Sequence, residues 1–132
     1  MLEWCQDFET GSPLVDTQHR MLIEKINQFG GLLKGTAPTK AAIDELLEFL
    51  GSYVKLHFTF EERCMDHHHC PAREQNKKAH AAFLSSFQTF SERYRAEGPK
   101  TELLQQLHRT MTDWIKSHIL TVDTQLQACI KS

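Results

Sequence analysis

Apolar residues recur every three or four positions along four long stretches of the chain, a spacing typical of amphipathic helices. The pattern predicts helices over about 17–34, 40–66, 73–96 and 102–130, after an N-terminal arm over 1–15. Short connections between long helices favour antiparallel neighbours. We therefore expect an all-α fold, an up-down-up-down four-helix bundle.

Turn-forming residues end the N-terminal arm at 11–13 and separate the four stretches at 35–38, 67–71 and 97–100. Short polar side chains often cap the first turn of a helix, because their oxygens accept hydrogen bonds from free backbone N–H groups. We expect Asp16, Thr39 and Thr101 to cap the first, second and fourth helices.

Each predicted helix carries one apolar stripe that should form the core of the bundle. In chain order the stripes are Leu22, Ile26, Phe29 and Leu33; Ile43, Leu47, Leu50 and Val54; Phe83, Phe87, Phe90 and Tyr94; Leu104, Leu107, Met111 and Trp114. One or two steps further, the same faces reach His19, His57 with Glu61, His80, and His118. In an antiparallel bundle these positions share one end, so we expect four imidazoles and a carboxylate to converge there.

A buried carboxylate such as Glu61 is costly unless it is paired or bound to a metal, and no Lys or Arg lies on these stripes. Imidazole together with carboxylate suits iron, zinc, copper or manganese. A single inward histidine is more often a hydrogen-bonded core residue, and a bundle without metal remains the alternative. Four histidines and a glutamate at one end favour a metal site.

Length, charge and cysteine content narrow the classes of protein. The 132 residues correspond to one domain with a net charge of −2, and no basic cluster indicates nucleic-acid or membrane binding. No apolar run approaches the roughly 20 residues that span a bilayer. Acidic Glu3 and Asp7 argue against a signal peptide, so a cytoplasmic protein is expected. The four cysteines lack Cys-x-x-Cys spacing and are expected to be reduced thiols.

The chain resembles a bacterial hemerythrin domain over essentially its whole length. The motifs that carry the resemblance are Asp16-x-Gln18-His19, His57-Phe58-x-x-Glu61-Glu62, His80-x-x-Phe83 and Trp114-x-x-x-His118-Ile119-x-x-x-Asp123. Any one of these motifs is weak evidence, whereas the ordered set is specific.

The resemblance implies a centre of two iron ions, Fe²⁺ or Fe³⁺, joined by an oxo or hydroxo bridge, with O₂ as ligand. Glu61 and Asp123 would bridge the irons. His19 and His57 would bind one iron, and His80 and His118 the other. The residues expected around the O₂ pocket are Leu22, Phe58, Trp114 and Ile119.

The position of Asp123 predicts a local distortion of the fourth helix. Five residues after His118 corresponds to roughly 140° around an ideal helix, so the two side chains would not face one site. We expect a π-type irregularity or one lengthened hydrogen bond between them.

Asn76 departs from the family pattern, which has histidine four residues before His80. An amide oxygen is a weak ligand, so this iron should keep an exchangeable ligand and the centre should autoxidise quickly. Two alternatives remain: Asn76 hydrogen-bonds a water ligand at an otherwise normal site, or one of residues 67–69, all histidines, substitutes as ligand.

The leading functional hypothesis is a non-haem di-iron domain that binds O₂ or another diatomic molecule and senses redox state. Family analogy makes it the N-terminal sensory module of a signalling protein, with an output such as a cyclic-dinucleotide synthase or chemotaxis receptor. It is expected to bind and sense rather than act as an enzyme. The alternatives are a freestanding O₂ carrier or store and a di-iron enzyme acting on peroxide or nitric oxide.

Overall fold

The structure, a computed structural model, describes residues 2–34 and 39–131 and is all-α over that part of the chain. The elements are a 3₁₀ turn at Gln6–Phe8, α1 at Pro13–Lys34, α2 at Lys40–His67, α3 at Arg73–Glu97, α4 at Thr101–Thr121, a 3₁₀ turn at Asp123–Gln125 and α5 at Leu126–Lys131. Helices α1 and α3 each pack against both α2 and α4. The prediction of a four-helix bundle is confirmed, while the turn expected at 35–38 lies outside the described residues.

Only one of the three predicted helix caps is present. The Thr39 hydroxyl accepts a hydrogen bond from the Ala42 N–H at 3.2 Å, as expected. Helix α1 begins at Pro13, earlier than predicted, because proline at a first helical position sacrifices no hydrogen bond. Asp16 therefore lies inside α1, where its carboxylate accepts hydrogen bonds from the backbone and hydroxyl of Thr10 at 2.9 and 2.8 Å. Thr101 is the first residue of α4 and is not its cap.

The predicted stripes form the core of the bundle. The four α2 residues of the stripe are all buried, as are three residues in α1 and three in α4. Leu33, Phe87, Phe90 and Trp114 are only partly buried and pack against the edge of this core. Among the described residues, no helix combines the length and the apolarity needed to cross a membrane.

A second apolar cluster closes one end of the bundle and contains a disulfide. Cys70, in the turn after α2, is bonded to Cys129 of α5, 59 positions further along the sequence. The expectation of four reduced thiols is wrong for this pair and holds for Cys5 and Cys64, which are free. The pairing was not readable from sequence because α4 was expected to continue straight to residue 130. Instead the helix breaks, and α5 packs back against buried Val15 and Met65.

We expect Cys129→Ser to lower the free energy of unfolding by about 2–4 kcal/mol, because a cross-link between distant residues restricts the unfolded chain. Cys5→Ser removes an exposed free thiol and serves as the matched control. Urea unfolding without reductant would measure the difference, and a dithiol reductant should abolish it. Equal free energies of unfolding of the two variants without reductant would contradict a stabilising Cys70–Cys129 bond.

Candidate metal centre

Four helices and the turn after α4 bring six buried side chains together at the end of the bundle that α5 covers. Two come from α2, one each from α1, α3 and α4, and the sixth is Asp123, in the 3₁₀ turn. None of the six is more than 4% exposed. Their ligand atoms form two groups, each within 4.8 Å: His19, His57, Glu61 and Asp123; and Glu61, His80, His118 and Asp123.

Each carboxylate directs one oxygen to each group. Glu61 Oε2 lies 3.1 Å from His19 Nε2 and 3.3 Å from His57 Nε2, whereas Oε1 lies 3.1 Å from His80 Nε2. Asp123 divides in the same way, with Oδ2 at 3.1 Å from His19 Nε2 and Oδ1 at 3.0 Å from His118 Nε2. The two carboxylates thus lie between the groups, where each could bridge two cations.

Hydrogen bonds among the six side chains do not satisfy all their polar atoms. Neither oxygen of Asp123, nor Glu61 Oε1, makes a hydrogen bond of acceptable geometry with the described residues, although imidazole nitrogens lie about 3 Å away. Buried carboxylate oxygens are seldom left in this state. Donor atoms that share a central cation are expected to lie close together without pointing at one another.

The spacing of the donor atoms fits metal coordination. Imidazole nitrogen and carboxylate oxygen bind divalent transition metals at about 2.0–2.2 Å, so two ligands at right angles lie about 3 Å apart. The nitrogen–oxygen separations in both groups are 3.0–3.3 Å. Four imidazoles, two carboxylates and no thiolate make a donor set suited to iron.

Two further side chains orient the imidazoles. His57 Nδ1 donates to Gln18 Oε1 at 2.6 Å, and His80 Nδ1 donates to Glu62 Oε2 at 3.0 Å. With Nδ1 protonated, Nε2 of each ring is free to use its lone pair. The apolar stripes of the sequence did not indicate a role for Gln18 or Glu62. Each is the immediate neighbour of a stripe residue, about 100° away on the helix, so tracing one face misses it.

The helix is distorted where Asp123 requires it, but in the opposite sense to the predicted π-type widening. The last α4 hydrogen bond runs from Val122 N–H to His118 O at 2.9 Å, and Gln125 N–H then bonds to Val122 O at 3.1 Å. A 3₁₀ turn rotates each residue further around the axis than an α-helix does, so tightening alone would not bring Asp123 onto the His118 face of α4. Instead α4 ends at Thr121, and Val122, with φ −116° and ψ −56°, redirects the backbone. Asp123 therefore begins a separate turn and reaches the centre from there.

Asn76 is fully buried beside the second group, and its Oδ1 lies 2.9 Å from His118 Nε2. The triplet at residues 67–69 does not reach either group: His67 and His69 are exposed and His68 is half-buried. None of them stands in for Asn76.

Aromatic rings and a small apolar cavity lie on the core side of the six residues. Phe58 stacks on His80 with ring centres 3.8 Å apart, and Trp114 stacks on His118 at 4.4 Å. The cavity measures about 10 Å³ and is lined by Leu22, Ile26, Leu50, Val54, Phe58, Phe83, Met111, Trp114 and Ile115. Of the four residues expected around an O₂ pocket, Leu22, Phe58 and Trp114 line this cavity, and Ile119 is fully buried in the same core without lining it.

Burial and the interactions between imidazoles and carboxylates shift the pKa values of the cluster in opposite directions. Burial by itself would lower the pKa of His19, but the carboxylates of Asp123 and Glu61, both about 3 Å from its Nε2, outweigh it and raise the pKa to about 9. Burial would raise the pKa of Glu61, yet hydrogen bonds with His19 and His57 hold it well below its usual range. For His57 burial prevails and its pKa is lowered. Without a metal, a proton on His19 therefore compensates the carboxylates.

We expect the metal-free protein to lose stability as pH rises from 6.5 to about 9. The unfolded chain releases the His19 proton near 6.5, whereas the folded chain keeps it up to about 9, so this contribution is complete below 6.5 and lost above 9. Urea unfolding in chelator at several pH values would measure the decline. The decline in unfolding free energy with pH should be shallower in His19→Gln. It should be unchanged in His67→Gln, which alters an exposed histidine. Equal declines in all three proteins would refute this assignment.

Comparison with known proteins places the chain in one family. The pattern of the hemerythrin HHE cation-binding domain matches residues 10–130. The bacteriohemerythrin of Pseudomonas aeruginosa is 30% identical over 122 residues, covering 92% of this chain and 76% of that protein. The bacteriohemerythrin of Clostridium acetobutylicum is 26% identical over 127 residues, covering 95% and 98%.

A crystal structure of wild-type hemerythrin superposes with a TM-score of 0.87 at 22% identity, covering 100% of this chain and 99% of that chain, which supports the shared fold. The resemblance noted in the sequence is confirmed: the chain belongs to the hemerythrin HHE cation-binding domain family.

Proposed function

We propose that this chain holds two iron ions as a non-haem di-iron centre and binds O₂ or a related diatomic molecule there. The observation that carries the proposal is the division of Glu61 and Asp123, each with one oxygen in each donor group. His19 and His57 would complete one iron site, and His80 and His118 the other. The membership in the hemerythrin family supports iron over the other metals that such donors accept.

The protein's own residues would prepare both sites before any cation arrives. Gln18 and Glu62 hold the rings of His57 and His80 through their Nδ1 atoms, so that Nε2 faces inward. Two buried carboxylates attract cations into a region that water barely reaches. The chemistry that the iron pair would supply is reversible electron exchange with the diatomic ligand.

An apolar approach to the centre favours a small uncharged ligand. Phe58 and Trp114 line the cavity and also stack on imidazoles of the second group. Apolar cavities stay dry, and at about 10 Å³ this one admits a molecule of no more than a few atoms. Because this approach is apolar, we expect the site to bind a ligand rather than to turn over a polar second substrate.

We expect Glu61→Gln to reduce bound iron from two ions per chain to one or none, because the amide cannot bridge with two anionic oxygens. The measurement is iron content after anaerobic loading with ferrous iron and desalting. Glu45→Gln on the same helix removes an exposed carboxylate and should retain two. Two iron ions retained in Glu61→Gln would contradict the bridging role, and a wild-type protein without stoichiometric iron would overturn the proposal.

The attachment of Asp123 favours a sensing role over simple storage. This carboxylate belongs to the 3₁₀ turn between α4 and α5, and α5 is tied through Cys129 to Cys70. A change of iron charge that pulls on Asp123 would shift the turn and α5 together. An output domain of the kind expected from the sequence could read such a shift.

We expect backbone amides of residues 122–131 to exchange hydrogen at different rates in the reduced and oxidised iron-loaded protein. Hydrogen exchange read by mass spectrometry would measure this, with residues 40–47 at the remote start of α2 as internal control. Identical exchange of residues 122–131 in the two states would contradict sensing through this segment and favour a carrier.

A further inference from the structure

One buried polar group at the proposed centre has no partner that the protein supplies. Asn76 Nδ2 is fully buried and makes no hydrogen bond with the described residues. Leaving a buried amide N–H without a hydrogen-bond acceptor is costly, so native proteins normally provide a partner. The side chain lies one helical turn before His80 on α3, beside the second donor group.

The oxygen of the same amide lies at ligand spacing. Asn76 Oδ1 is 2.9 Å from His118 Nε2, comparable with the 3.0 Å between that nitrogen and Asp123 Oδ1. If His118 Nε2 gives its lone pair to a metal, it has no proton to donate to Oδ1. The short contact then indicates two neighbours around one centre, and a neutral amide oxygen is the weakest donor in that group.

Among the described residues, the first donor group has no amide beside its inward-facing nitrogens. The amide nearest to it, that of Gln18, is engaged with the outward Nδ1 of His57 rather than with the inward-facing nitrogens. The other unsatisfied buried nitrogen of the described helices, His19 Nδ1, lies on the far side of its ring from Nε2, which faces Glu61 and Asp123. In the described part of the chain, an unsatisfied amide N–H donor beside a weak donor oxygen therefore occurs at the second group.

We propose, building on the proposed di-iron function, that Asn76 marks an exchangeable position on the second iron and holds a small anion or its conjugate acid there. The amide oxygen, or a water molecule in its place, leaves as the anion enters, with no change of oxidation state. Amide Nδ2–H then donates a hydrogen bond to the anion. Complete burial limits the ligand to a few atoms, such as hydroxide, fluoride or azide.

The test is a titration of fully oxidised protein with azide, after two iron ions per chain have been verified. Calorimetry and absorption would give the number of azide ions bound. Asn76→His fills the position with a strong donor, so wild type should bind one more azide per chain than this variant. Gln75→His adds an imidazole at an exposed neighbouring position and should behave as wild type.

A second variant keeps the proposal testable if Asn76→His does not fold or does not bind iron. Asn76→Ala leaves the position open but removes the N–H donor, so we expect azide affinity at this position to fall about tenfold or more. Unchanged azide number in Asn76→His, or unchanged affinity in Asn76→Ala, would overturn the inference while leaving the di-iron proposal intact. Failure of wild type to hold two iron ions would instead overturn both.

Discussion

Two carboxylates buried at one end of the helical bundle, which pair with no Lys or Arg side chain of the described residues, set the central constraint on this molecule. Glu61 and Asp123 are at most 1% exposed, and their ion pairs among the described residues are all with histidines. Burying such charges costs several kcal/mol each unless they are compensated. Imidazolium can compensate them in part, as the raised pKa of His19 indicates. A pair of divalent cations would compensate them far better.

The fold brings these groups together by ending each apolar stripe at the same pole. Helix direction alone places four histidines and Glu61 there, because antiparallel neighbours pair the start of α1 and α3 with the end of α2 and α4. Asp123 needs an additional device, the tight turn after α4. The same break lets α5 cover the pole, where the Cys70–Cys129 bond ties it down. The packing of α5 thus both covers the site and fixes the position of Asp123.

Helical periodicity predicts the residues that lie on one face of a straight helix. It predicted the bundle, the core of α2 and the convergence of His19, His57, His80 and His118, since these depend only on spacing and helix direction. Periodicity could not predict hydrogen bonds from residues beside that face, such as those that Gln18 and Glu62 accept from His57 and His80. Family resemblance pointed to Asp123, but the break after α4 and the disulfide depend on how α5 packs.

The proposed iron centre is built asymmetrically, although both donor groups share the same carboxylates. Aromatic rings cover the imidazoles of the second group, and the amide of Asn76 lies beside them with a donor unused. Electronic character and ligand choice at the two irons should therefore differ.

Diffraction from crystals of the iron-loaded protein, collected on both sides of the iron absorption edge, tests the central claim most directly. The account predicts two separate anomalous peaks, one within each donor group, with Glu61 and Asp123 in contact with both. A single peak, or iron bound only at exposed histidines such as His67, would contradict it.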